Sequence, residues 1–152
     1  MSREPDAYLL SPEEVLAKVR SARQATVCLV AVAHQQGQRA RGGAPVLLAA
    51  TRLLRAVGNN GHVAHWKDDQ FLVTAEEPEV RASDSVAARA YSAVTSSPFT
   101  GSRGEEVWLA CSVGFSRVER LRGESVDDSV HGALERAAAA LAAARQRGAN
   151  RV

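Results

Sequence analysis

Asp68 and Asp69 are adjacent carboxylates in a short polar turn, Lys67-Asp68-Asp69, between two apolar runs. Paired carboxylates are the groups that hold a hard divalent cation such as Mg2+. The surrounding sequence limits that chemistry at once. From Val15 to Lys67 there is neither Asp nor Glu, where the chain's overall content, 17 acids in 152 residues, would place about six. An acidic pair in a turn is more often solvated than metal-bound, so the expectation is a solvated turn. His62 and His65 are three apart, face opposite sides of a strand and do not chelate one ion. His34 and His131 stand alone, and Ser112 has no His/Asp system beside it in the sequence. Lys67, Arg39 and Arg41 could form an anion site, although solvated surface cations are the plainer reading. Trp66, at the tip of a hairpin, and Phe99, in a loop, are either partner anchors or covers for the edge of the core.

The acid-free stretch carries Lys18, Arg20, Arg23, Arg39, Arg41, Arg52, Arg55 and Lys67. Either it presents a basic face to an anionic partner, or acids from the other half of the chain balance it in space; the second is the plainer expectation. The net charge of +2 does not argue for nucleic acid. No apolar run approaches 18 residues, so no membrane span is expected, and the N-terminus has no signal-peptide core. Cys28 and Cys111 lie within apolar runs and read as buried free thiols of a reducing cytoplasm. At 45% hydrophobic and 24% charged, the 152 residues suit one domain with a single core.

The elements that must position these groups are legible in the patterning. Ser11-Pro12-Glu13-Glu14 opens a helix with a capping box, and Val15, Leu16 and Val19 give it an apolar stripe to about Arg23. Ala25–Ala33 is a continuous apolar run and reads as a buried central strand. Residues 34–43 are polar and glycine-rich, a loop. A second helix from Pro45 carries Val46, Leu47, Ala50, Leu54 and Val57 at helical spacing, and Gly58-Asn59-Asn60-Gly61 ends it. His62–Trp66 and Gln70–Ala75 form a hairpin. A third helix is expected from Glu79 to about Ser97, with Val80, Val86, Ala87, Ala90, Tyr91 and Val94 as its stripe. Pro98–Glu105 reads as loop and Val107–Val118 as one long strand. A last helix spans about Asp127–Arg147, its acids at the positive end, Arg145 and Arg147 at the negative end, and Gly148 to stop it. The order is a β-α-β-β-α-β core with N- and C-terminal helices: an α+β, ferredoxin-like antiparallel sheet with helices packed on it. Residues 1–9 are expected to be a flexible N-terminal segment and 10–152 a single domain.

Over about residues 10–152 the chain resembles the GGDEF family of bacterial diguanylate cyclases. Leu47–Arg55 followed by Ala64–Phe71 looks like the family's helix and signature hairpin. Ser112-Val113-Gly114 looks like its S-x-G strand, and Ala140–Val152 like its last helix and terminal strand. The resemblance implies a cyclase-palm fold. In an intact member it also implies joining of two GTP into cyclic di-GMP, one GTP per domain, with two domains facing each other. Two carboxylates, one at the end of the first strand and one in the hairpin, would hold metal against the triphosphate.

Carried over residue by residue, the signature is degenerate. Its two glycines, which let backbone approach phosphate, fall on Lys67 and Asp68. The metal-binding acid is kept as Asp69, the next Glu becomes Gln70, and the Phe is kept as Phe71, as core. The first-strand acid is absent in any register, because no acid lies between Glu14 and Asp68. The segment that reads guanine is replaced by Gln35–Ala44, without its Asn and Asp. The product-inhibition R-x-x-D falls on Gly58-Asn59-Asn60-Gly61 and is missing. Arg145 stands where the last helix usually offers a Lys to phosphate. These departures imply a catalytically inactive domain with no catalytic residue, no metal and no cofactor. With no room in the chain for a sensor or phosphodiesterase domain, it is expected to act in the cytoplasm as a regulatory module through another protein or a homodimer. Trp66, Arg39 and Arg41 are the candidate partner surface. The alternative is a nucleotide sensor that contacts GTP or cyclic di-GMP through Lys67, Arg145 and Arg147 without turnover.

Overall fold

The strand β1 (Ala25–His34) sits inside a four-stranded antiparallel sheet whose strands lie in the order Gly61–Lys67, Gln70–Glu76, β1, Leu109–Arg117. The computed structural model describes residues 9–34, 44–78, 85–100, 103–104, 106–118 and 123–147. Among these the chain order is α1 (Pro12–Ser21), β1, α2 (Ala44–Val57), a 3-10 turn (Gly58–Asn60), β2 (Gly61–Lys67) and β3 (Gln70–Glu76). It continues through α3 (Val86–Thr95), β4 (Phe99–Thr100), β5 (Glu106–Val107), β6 (Leu109–Arg117) and α4 (Val126–Gln146). The β-α-β-β-α-β core is therefore present. Its two central helices and the two terminal ones take opposite faces of the sheet.

The division follows the period-two alternation of the strands. Cys28, Val30 and Val32 of β1, with Phe71, Val73 and Val113, pack against Ala50 and Leu53 of α2 and against Ala87, Ala90 and Val94 of α3. Val27, Leu29 and Ala31 point the other way, with Ala64 and Leu72, onto Val15 and Val19 of α1 and Val130, Ala137 and Leu141 of α4. Because both faces are covered, β1 is apolar without alternation from Val27 to Ala33.

The helix ends obey local chemistry. Ser11 accepts from Glu14 N–H at 3.2 Å while Glu14 Oε1 accepts from Ser11 N–H at 3.1 Å, completing the expected capping box. α1 ends at Ser21, two residues short of the expected limit, because Ala22 is extended. The third helix begins later than Glu79. Ser85 is extended and caps Ala88 N–H, and the carboxylate of buried Glu77 accepts from Val86 N–H at 3.3 Å, so the helical run opens at Val86. Val80 lies outside the described residues.

Arg52 of α2 finishes the other end of α3, donating to the carbonyls of Val94, Ser97 and Pro98 at 2.7–3.2 Å. The expected loop Pro98–Glu105 contains β4, which pairs with β5 just beyond it, and the expected single strand 107–118 is interrupted at Trp108. The loop at 35–43, Gly148 and the terminal strand expected beyond it lie outside the described residues.

Candidate functional site

The turn between β2 and β3 holds the retained acid of the signature. It spans only Asp68 and Asp69, since Lys67 pairs with Gln70, and the ladder shifts register between His65 and Lys67. Asp68 adopts φ 45°, the left-handed conformation that Gly takes freely and Asp tolerates. His65 Nε2–H donates to the Asp68 carbonyl at 2.9 Å and its ring lies 5.6 Å from that of Phe71. These contacts fasten the turn onto the sheet.

Asp69 departs from the expectation of a solvated turn. It is 2% exposed, and neither carboxylate oxygen has a hydrogen-bond partner among the described residues. Its backbone carbonyl accepts from Val32 N–H at 2.9 Å, which sets the end of β1 directly across from it. Arg145 of α4 brings Nη2 to 3.6 Å from Oδ2, an ion pair just beyond hydrogen-bond length. Sequence patterning showed Asp69 as a polar turn residue; its pairing with Arg145, at the far end of the chain's last helix, is a tertiary event with no local signal. Arg145 is thus engaged with a carboxylate rather than only closing a helix end.

The metal implied by the family resemblance needs a second carboxylate at the end of the first strand. The β1 residues that meet the turn are Ala31, which pairs with Gln70, and Val32, and a guanidinium already faces the one carboxylate present. The residues do not fit a divalent ion. Among the described residues no group of three or more His, Cys, Asp and Glu could hold a metal.

The other candidate residues are dispersed. Lys67 is exposed and Gln70 half-buried at the two hairpin corners, and Phe71 is fully buried in the core, as expected. Trp66 packs against the α1–α4 core and also walls a groove of about 540 Å³ with Leu9, Leu10, Pro12 and Lys67. Arg147 is exposed at the end of α4. Arg39 and Arg41, and the side chain of Phe99, lie outside the described residues. His62 lines a small polar cavity of about 90 Å³ with Lys18, Thr74 and Glu76, away from His65. Partial burial and the Lys18 charge hold the His62 pKa below its ordinary value.

Cys28 and Cys111 are free and buried as expected. Burial pushes the Cys111 thiol up to about 12 and Cys28 higher still, with Glu77 adding to the effect at Cys28. Of the basic stretch, Arg20 is balanced by Asp127 of α4 at 2.7 Å, and Arg52 is spent on the carbonyls of the α3 end. Sequence reasoning missed that role of Arg52, for which no periodic signal exists.

The sequence model of the diguanylate cyclase GGDEF domain matches residues 41–151. Among curated proteins none matches. Among solved structures, the GGDEF domain of FimX from Pseudomonas aeruginosa superposes with a TM-score of 0.75 at 16% identity, covering 99% of this chain and 98% of that one. The active GGEEF domain of a diguanylate cyclase from Vibrio cholerae gives 0.68 at 18%, with 94% and 95% covered. The diguanylate cyclase SiaD from Pseudomonas aeruginosa, solved with its activator SiaC, gives 0.74 at 19% over 98% of this chain. The present chain spans 60% of the SiaD chain's length. At these identities the structural likenesses establish the fold.

Proposed function

Since this chain belongs to the GGDEF domain family of diguanylate cyclases, we propose that it is a catalytically inactive member that works as a regulatory module through another protein. One observation carries the reading: opposite Asp69, where a cyclase of this family would need its second metal-binding carboxylate, stands the apolar end of β1, and Arg145 supplies the positive charge instead. Without two carboxylates there is no clamp for a divalent ion against a triphosphate, and the attacking hydroxyl loses the charge that would lower its pKa. The fold is maintained by residues such as Phe71 and Leu53, which are independent of the chemistry.

A protein partner is the output this reading favours. The similar diguanylate cyclase SiaD has been solved in complex with an activator protein. The groove beside Trp66 and Lys67 is the first surface to test here. A homodimer is the other form such an assembly would take, and the cytoplasm is the compartment proposed, where both thiols stay reduced.

The deciding measurement is cyclic di-GMP formation from GTP with Mg2+ or Mn2+. None is expected, and turnover that disappears in Asp69→Ala would overturn the reading. The alternative, a non-catalytic nucleotide sensor, draws on Lys67 and Arg147, which pair with no described carboxylate. Calorimetry with GTP and with cyclic di-GMP separates the two: micromolar binding that weakens in Lys67→Glu would establish the sensor.

A further inference from the structure

Asp69 carries a formal charge into the interior, and neither of its oxygens gains a hydrogen bond from a described residue. Burying a carboxylate without hydrogen bonds is costly unless an opposite charge stands beside it. The structure supplies one from far along the chain. Arg145 lies in the last turn of α4, where its charge also suits the negative end of the helix. Its guanidinium reaches Oδ2 at 3.6 Å while the side chain remains 34% exposed, so the cation sits between the carboxylate and solvent. At that length the contact is ionic, and charge is what Asp69 receives.

We propose that Arg145 is a resident counter-cation. It occupies the place beside Asp69 that a free divalent ion would otherwise take, so the hairpin turn is charge-balanced without metal and closed to metal. The inference rests on the reading that no two-carboxylate centre is assembled here. It adds that the vacancy is filled by the chain's own charge, and that the acid of the signature now ties the β2–β3 turn to the end of α4. Removing the guanidinium opens a solvent-reachable space over a bare carboxylate. A hydrated divalent ion fits such a space weakly, through one ligand.

The test is thermal unfolding of the whole chain in 0 and about 10 mM MnCl2 or MgCl2. The wild-type midpoint should be the same with and without metal. Arg145→Ala should lower it by roughly 5 °C, and Mn2+ should restore a few degrees of that loss. Asp69→Asn/Arg145→Gln, with no charge to balance, should be more stable than Arg145→Ala and indifferent to metal. If Arg145→Ala is too unstable to purify, Arg145→Gln gives the same readout. The proposal is overturned by a wild-type midpoint that rises with metal through Asp69. It is equally overturned by an Arg145 variant that is indifferent to metal, or no less stable than Arg55→Ala at an exposed site. Cyclic di-GMP formation by the wild type would sink the inactive reading and leave these midpoints to be judged separately.

Discussion

Gly114 of β6 and Leu141 of α4 meet backbone against backbone. A Cβ on Gly114 would stand 2.8 Å from the Leu141 Cα and closer still to its nitrogen and to the Ala137 carbonyl. The glycine of the Ser112-Val113-Gly114 motif is therefore a packing requirement: α4 lies flat on the sheet only because this position has no side chain. Gly114→Ala should cost roughly 2–3 kcal/mol, since backbone has to move to admit the methyl group. Chemical denaturation should show a lower midpoint with an unchanged slope.

At Asp68 the same logic has the opposite sign. With φ 45° the aspartate sits where glycine is unstrained. Asp68→Gly should leave stability unchanged or raise it by up to about 1 kcal/mol, while Asp68→Val should lose roughly 1–2 kcal/mol. A denaturation series on the two variants checks both directions.

Arg52→Met keeps much of the aliphatic stem and deletes the three bonds to the carbonyls of Val94, Ser97 and Pro98. A loss of about 2 kcal/mol is expected. Amide exchange should speed up at the end of α3 before it does so in β1, because these bonds hold only that end.

His62 sets part of the acid limit. Its pKa is lowered in the folded chain, so below the ordinary histidine value of about 6.5 the unfolded state binds the proton first. Stability from this residue is complete above about pH 6.5 and is lost as the pH falls toward the folded value. His62→Gln should flatten that part of the profile of midpoint against pH.

Both thiols should be silent in the native state. Cys28 and Cys111 are shielded by the core and their thiolates are disfavoured. Labelling by a thiol reagent at pH 8 should follow global unfolding, and its rate should rise with denaturant in step with the loss of structure.

Where local chemistry decides, the sequence was readable. Ser11 with Glu14, the apolar run of β1 and the Gly58-Asn59-Asn60-Gly61 stop of the second helix each carry their own signal. The start of α3 was misjudged because Glu77 and Ser85 share the capping across a gap in sequence, and the break at Trp108 interrupts an apolar run that reads as continuous. At the site, the missing first-strand acid was legible from the acid-free stretch 15–67 once the family resemblance said where that acid belongs. The burial of Asp69 and its pairing with Arg145 were not, because the two residues are brought together only by the tertiary fold. The same holds for Arg20, whose partner Asp127 belongs to the last helix.

The position of β1 in the sheet also dictates when this chain can fold. Thr26 faces Arg117 across the β1–β6 ladder, and the Arg117 guanidinium bonds Thr26 Oγ1 from 91 positions downstream. During synthesis the earliest strand must wait, one edge open, until β6 has left the ribosome. A nascent chain stalled before Leu109 would expose an apolar, β-branched edge, and is the species for a chaperone to shield.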